Sequence, residues 1–253
     1  LVEQGLKRIR AGQTRPGIQA LIEIANKNQQ RLVASDFGFA LGPRINAAGR
    51  LDDMAYGINC LLASDLSSAR VMAAELDDLN KARREIEQGM QGEAERVLKS
   101  LNFDDFNLPG KTNQQDFPSA IALYQKDWHQ GVIGIVAGRL KEKFHRPCIV
   151  FANGSDDEAI PKDKLEIKGS ARSIPGLHIR DLLEHIDSQH PGLIIKFGGH
   201  AMAAGLSINI EHFEHFGQLL NQYAEKWLDE SMLEGTILSD GSLDKQNLSM
   251  EFA

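Results

Sequence analysis

The stretch Lys196-Phe197-Gly198-Gly199-His200-Ala201-Met202-Ala203-Ala204-Gly205 decides how this 253-residue chain is read. Just ahead of it, Leu193-Ile194-Ile195 is apolar and β-branched and follows Pro191-Gly192, which predicts a short buried strand over 193–197. That strand runs into two residues without side chains. Gly198 and Gly199 let the backbone turn sharply and bring its amides close to a ligand. Amides projecting from such a turn, or from a helix start behind it, attract phosphate. His200 adds a side-chain donor at the rim, and Ala201, Ala203, Ala204 and Gly205 leave space for close packing or for a bulky substrate.

A second stretch makes a matching case. Glu166-Ile167-Lys168-Gly169-Ser170-Ala171-Arg172-Ser173-Ile174 alternates as a strand does, so Lys168, Ser170 and Arg172 share one face and Gly169, Ala171 and Ser173 the other. A cation, a hydroxyl and a guanidinium in one column suit a phosphodiester, because arginine grips phosphate oxygens with two parallel bonds. The plainer alternative is a solvated edge strand beside a glycine hinge. Two such stretches within forty residues favour the anion site.

Outward from these, the totals set bounds. The chain is 42% hydrophobic and 25% charged, ordinary for a globular protein, and long enough for one large domain or two small ones. No apolar run approaches the roughly 20 residues that span a bilayer, and no signal-peptide pattern is present; the expectation is a cytoplasmic protein. Cys60 and Cys148 stand far apart without CxxC spacing, as reduced thiols do. Net charge is −7, yet residues 1–50 hold eight Lys and Arg against three Asp and Glu, while residues 211–253 hold two against nine. Basic charge gathered at one end fits a groove following a polyanion on an otherwise acidic body. The chain opens on Leu1 in a helical pattern and stops at Ala253 without an evident terminus, as a piece of a longer protein would.

The α/β pattern is clear in the second half. Strands are expected at 120–124, 147–152, 166–172, 193–197 and 206–208, with helices at 132–144, 179–186 and 213–228 between them. This predicts an α/β fold with an open mixed sheet flanked by helices, joined by a long helix to a partial helical segment. The long helix follows a capping Ser67 or Ser68 and reaches about Leu101, with Met72, Leu76, Leu79, Ile86, Met90, Ala94 and Val97 on one stripe. A rod that long and that charged reads as a strut between two lobes. In the first half, Lys7, Arg8, Arg10 and Arg15 cluster around a break at Pro16-Gly17. Ser35 or Asp36 caps a short helix that Gly42-Pro43 should end, after which Arg44, Asn46 and Arg50 project from a segment of small residues. That segment reads either as a binding surface or as a glycine-rich connection. His129 after Trp128 reads as packing more readily than as a ligand contact. No Asp, Glu or His grouping has metal-ligand spacing, and there is no Walker loop or GxSxG elbow, so phosphate grips stand without an activator of water.

The motifs are similar to a known family. Gly198-Gly199-His200-Ala201-Met202-Ala203-Ala204-Gly205 resembles the GGHxxAAG signature of the DHH-associated domain in the DHH phosphoesterase superfamily. Leu41-Gly42-Pro43-Arg44-Ile45-Asn46-Ala47-Ala48-Gly49-Arg50-Leu51, Ser170-Ala171-Arg172-Ser173 and Trp128-His129-Gln130-Gly131-Val132-Ile133-Gly134 resemble motifs of the RecJ family of single-stranded-DNA-specific exonucleases. The resemblance implies 5′→3′ hydrolysis of single-stranded DNA in repair and recombination. It also implies Mn²⁺ or Mg²⁺ held by a DHH domain whose metal motifs have no counterpart here, so that the fragment itself is inactive. It divides the chain into the end of a DHH domain (1–64), a connecting helix (65–101), a DHH-associated domain (102–233) and the start of an oligonucleotide-binding fold (234–253). By the same analogy Ser170 and Arg172, with Arg44 or Arg50, hold the 5′ phosphate; Gly198, Gly199 and His200 bind the phosphate nearest the scissile bond, with His200 catalytic. Asn46 and Lys168 complete the expected substrate contacts. The expected partner is single-stranded DNA, bound by a monomer, with a single-stranded-DNA-binding protein as candidate partner of the longer protein. Two other readings stand beside it: a nanoRNA or cyclic-dinucleotide phosphodiesterase of the same superfamily, and a non-catalytic nucleic-acid-binding module.

Overall fold

A computed structural model describes residues 1–100, 117–155, 161, 164–236, 239, 241 and 242. The first half is helical: α1 Val2–Arg10, α2 Pro16–Ile24, α3 Ala34–Asp36, α4 Gly42–Leu51, α5 Met54–Leu62 and the long α6 Leu66–Ser100, with a π-helical turn at Phe37–Leu41 between α3 and α4. Its core gathers Leu6, Leu21, Ile22, Leu32, Leu41, Ala48 and Cys60 against Ala69, Ala73 and Leu76 of α6. Gly42-Pro43 does not end a helix here; it opens one, since proline in a first turn gives up only an amide that has no helical partner. The small residues that follow serve helix packing, because Ala47 and Ala48 are fully buried while Asn46 and Arg50 stay exposed. The cap of α6 is Asp65 and not Ser67 or Ser68. Its carboxylate accepts from the Ser67 hydroxyl at 2.5 Å, the Ser68 amide at 2.9 Å and the Ser68 hydroxyl at 2.8 Å, bonds that hold its pKa down at about 2.

The long helix forms as its stripe requires. At 35 residues, α6 runs roughly 50 Å. Its first half completes the helical core, and Met90, Ala94 and Leu98 of its second half enter the core beneath the sheet. Near its middle, Asp77 accepts from Arg44 Nε at 2.8 Å and pairs with Lys81 at 2.9 Å. Burial pushes the Asp77 pKa up, but Lys81 and Arg44 together outweigh it and hold the group below its ordinary 3.8. A carboxyl whose folded pKa is lowered stabilises the fold above its unfolded pKa, and that contribution is lost as pH falls through the folded value. Asp77→Asn is therefore expected to cost about 3 kcal/mol near neutral pH, the lower end for a mostly buried pair that loses one partner. Urea midpoints of wild type and variant should differ at pH 7 and converge as pH falls below the ordinary 3.8 and through the lowered folded value; a gap unchanged at low pH would refute the ion-pair account.

The second half is one five-stranded mixed sheet in the order β1-β2-β3-β5-β4, built from β1 Ile121–Tyr124, β2 Cys148–Asn153, β3 Glu166–Arg172, β4 Ile194–Gly199 and β5 Ala203–Asn209. Only β1 and β2 run parallel, joined through α7 Ile133–Phe144. Strands β3, β5 and β4 are successively antiparallel. Alternation sorts β2 cleanly: Ile149 and Phe151 point into the core under α8 Ile179–Gln189 and α9 Phe213–Trp227, and Cys148, Val150 and Ala152 into the core shared by α6 and α7. The expected strands and helices are all present, some longer by a few residues. The polar linker read at 102–119 and the tail at 234–253 fall mostly outside the described residues.

Candidate nucleic-acid interface

Strand β3 places its side chains as its alternation requires. Ile167, Gly169 and Ala171 are buried towards α8 and α9, and Lys168, Ser170 and Arg172 lie half-buried on the α7 side. Antiparallel register extends that face across the sheet: Ser207 and Lys196 stand beside Lys168, Gly205 and Gly198 beside Ser170, and Ala203 beside Arg172. Away from α7 the face thus becomes a strip of glycine, alanine and serine with lysine at one end. Gly198 and Gly205 are exposed there, so a backbone as thick as a nucleotide chain meets no protruding side chain.

The most densely built part lies where β3 meets the start of α7. Arg172 Nη1 donates to Ser170 Oγ at 3.1 Å and to the Ala171 carbonyl at 2.8 Å. Gly134 sits directly over both: a Cβ there would lie 2.9 Å from Arg172 Nη2 and 3.0 Å from Ser170 Oγ. One turn earlier, a Cβ on Gly131 would lie 2.0 Å from the Arg50 carbonyl oxygen, and Arg50 Nη1 donates back to the Gly131 carbonyl at 3.1 Å. The Gly131 approach needs glycine because it meets backbone, whereas a Cβ at Gly134 would press on the ends of the Arg172 and Ser170 side chains. The His129 carbonyl already takes the Val132 and Ile133 amides, so the start of α7 contributes its positive dipole end more than free donors. Lys168 Nζ reaches Gln130 Oε1 at 3.4 Å. Burial first, and then the charge of Arg50, hold the Arg172 pKa below the ordinary guanidinium value. Among the described residues no carboxylate pairs with Arg172 or Arg50, so their charge is not balanced by a protein group.

The Gly-Gly-His stretch departs from its expectation in one respect. Gly198 and Gly199 are the last residues of β4 and not a separate turn, and β5 follows the hairpin where a helix start was one option. Ladder pairing to β5 occupies part of this backbone, so fewer amides are free to meet an anion. Gly199 has φ +152°, and a Cβ on it would lie 2.5 Å from the Ala203 carbonyl oxygen, which explains the glycine. The Met202 carbonyl accepts from the Ser173 amide at 3.0 Å and the Ala201 carbonyl from the Ile179 amide at 2.9 Å, docking the hairpin on the end of β3 and the start of α8. His200 is exposed there, at the same end of the sheet as Arg172.

Of the α4 residues, Asn46 and Arg50 stand one turn apart on a common face. Arg44 is turned inward instead, its side chain 14% exposed and bound to Asp77 and to the Ala40 carbonyl. Trp128 is buried and donates to Glu93 at 2.8 Å, while His129 Nδ1 accepts from the Gly131 amide at 3.0 Å, so this pair shapes the turn. Sequence reasoning missed Gly131, Gly134 and Gln130 as parts of the pocket. The motif around them was the only signal, because close approach to a residue eighty positions away leaves no local pattern. Among the described residues no three His, Cys, Asp or Glu side chains are placed to hold a metal ion. The donor set here is cationic and hydroxylic and suits an anion, so Mn²⁺ or Mg²⁺ does not fit it. No helix among the described residues is long and apolar enough to cross a membrane.

Comparison with known proteins shows what the chain as a whole resembles. Residues 118–226 match the family model of the DHHA1 domain. Over all 253 residues the chain is 53% identical to the single-stranded-DNA-specific exonuclease RecJ of Salmonella typhimurium and 51% identical to that of Escherichia coli, spanning 41% of each. The chain thus covers about two fifths of the length of these relatives. Among solved structures it is similar to RecJ of Thermus thermophilus in complex with Mn²⁺, with a TM-score of 0.70 and 28% identity over 90% of this chain and 30% of that one.

Proposed function

Since this chain belongs to the RecJ family and carries its DHHA1 domain, we propose that it forms the strand-gripping part of a 5′→3′ exonuclease specific for single-stranded DNA. One observation carries this reading: Arg172 bonds Ser170 within reach of the charge of Arg50, which is held to the Gly131 carbonyl, and among the described residues no carboxylate pairs with either, at the end of a strip of small residues. A terminal phosphate carries nearly two charges and an internal one a single charge, so two guanidiniums and a hydroxyl favour the end of a strand over its middle. In this proposal Ser170, Arg172 and Arg50 hold the 5′ phosphate. Lys168 and Asn46 flank it, and Gly198, Gly199 and His200 border the phosphate nearest the scissile bond, where His200 donates. Arg44, engaged by Asp77, keeps α4 in place and takes no phosphate. Residues 1–64 are read as the end of a DHH domain, 65–101 as the connector, 102–233 as the DHH-associated domain and 234–253 as the start of an oligonucleotide-binding fold. A divalent ion, which would supply the attacking hydroxide, is assigned to parts of the longer protein outside this chain.

The test is direct binding of oligothymidylate to the chain. A 5′-phosphorylated strand is expected to bind at least about tenfold tighter than the 5′-hydroxyl strand, from one additional charge-assisted grip. Log affinity should fall with log salt with a slope of about −1.5 to −2, for two to three phosphates neutralised on a single strand. Equal affinity for both ends would defeat the assignment of the pocket, and a preference for a cyclic dinucleotide would replace the substrate.

A further inference from the structure

Away from this strip, a cleft of about 490 Å³ opens between the helical half, α6 and α7. Its walls are Phe39 and Pro43, Arg83 and Arg84 of α6, and Ile135 and Arg139 of α7. The charges are unbalanced. Glu87 accepts from Arg83 Nη1 at 3.0 Å and from Arg139 Nε at 3.4 Å, so one carboxylate serves two guanidiniums. Arg139 also reaches Glu142, at 3.6 Å on the exposed side. Arg83 Nε is buried without a partner, and exposed Arg84 makes no ion pair or hydrogen bond among the described residues. Burial disfavours the Arg83 charge most; Glu87 supports it, and Arg84, Arg50 and Arg139 oppose it, leaving its pKa below the ordinary value. Positive charge gathered in a partly closed cleft asks for an anion.

The lip of the cleft is aromatic. Phe39 is 83% exposed, and the π-helical turn presents it: the Gly42 amide donates to the Phe37 carbonyl, five residues back. A Cβ on Gly42 would lie 2.7 Å from that carbonyl oxygen, so glycine permits the wide turn. An exposed ring lining the same cleft as the unpaired Arg84 and a carboxylate-sharing Arg139 has the parts of a nucleotide site, since every base offers a π-face for stacking and arginine grips phosphate. The volume falls within the range of small-molecule sites.

We propose that this cleft is a second nucleotide subsite, in which a base stacks on Phe39 and its phosphate is held by Arg84 and Arg139. The class of ligand rests on the nucleic-acid reading above; the site does not share its residues. The nucleotide comes from one of two sources, a free nucleoside monophosphate or a unit of the bound strand. The test uses the 253-residue chain carrying Arg172→Ala, which removes the first pocket's main grip, titrated with deoxyadenosine 5′-monophosphate and with 5′-hydroxyl oligothymidylate. Adding Phe39→Ala or Arg84→Ala, both at exposed positions that leave the fold intact, is expected to weaken binding about tenfold each. Loss for both ligands assigns a free nucleotide, and loss for the oligonucleotide alone assigns a unit of the strand. If Arg84→Ala weakens binding and Phe39→Ala does not, stacking is absent and the nucleotide assignment falls. If neither variant changes either ligand, the proposal is overturned, while the 5′-end preference of the chain without Arg172→Ala still judges the first pocket by itself.

Discussion

Replacing Arg172 with alanine is expected to erase the preference for a 5′-phosphorylated strand, weakening that ligand about 10- to 150-fold while 5′-hydroxyl strands change far less. The range is that of a charge-assisted hydrogen bond, about 1.5–3 kcal/mol. The upper part is favoured because the guanidinium is half-buried under Gly134, where water screens it poorly, and because among the described residues no carboxylate competes for it. Arg172→Lys separates charge from geometry. Lysine restores a point charge but not two parallel bonds, so it should recover only part of the preference. Truncation leaves space beneath Gly134 and forces nothing apart, so melting should move little. Equal losses on both kinds of strand end would refute the role given to Arg172.

Gly131→Ala is expected to be the most damaging single change at the site although it removes no functional group. Its Cβ would lie 2.0 Å from the Arg50 carbonyl oxygen, a backbone atom that no rotamer change can move aside. The end of α4 and the turn before α7 must then separate. Overpacking of this kind costs about 3 kcal/mol or more, and for a chain of this size each kcal/mol lowers Tm by about 2–4 °C. A melting temperature lower by roughly 6–12 °C is the expected result, together with loss of the 5′-phosphate preference as Arg50 withdraws from Arg172. Gly138→Ala, within α7 itself with nothing within 4 Å of its Cβ, is the control and should hold or raise stability by up to about 1 kcal/mol. Wild-type melting by Gly131→Ala would mean that α4 and α7 do not meet as described.

Much of the fold was legible because period-two and three-four patterns are local. The column Lys168, Ser170 and Arg172 needed only alternation to be placed on one face, and the α6 stripe needed only its spacing to be placed in two cores. The misreadings came where tertiary structure decides. Gly42-Pro43 carries the sequence mark of a helix end, yet the π turn before it leaves proline in a first turn. Arg44 and Arg50 look alike in the motif, and only Asp77, thirty-three residues on, turns one inward. Ser67 and Ser68 compete for a cap that Asp65 takes with the stronger acceptor. Gly131 and Gly134 give no sign in sequence of the backbone and guanidinium they admit.

The helix common to both cores also bears on how a ligand is received. A protein whose halves swing together on binding spends part of its interaction energy on stilling that swing. Here Met90, Ala94 and Leu98 belong to one hydrophobic cluster and Ala69, Ala73 and Leu76 to another on a single continuous rod, and Arg50 is already tied to the Gly131 carbonyl beside the Arg172 pocket before any strand arrives. The entropy of closing has been met during folding, and even a ligand as short as one nucleotide encounters a receptor already in shape.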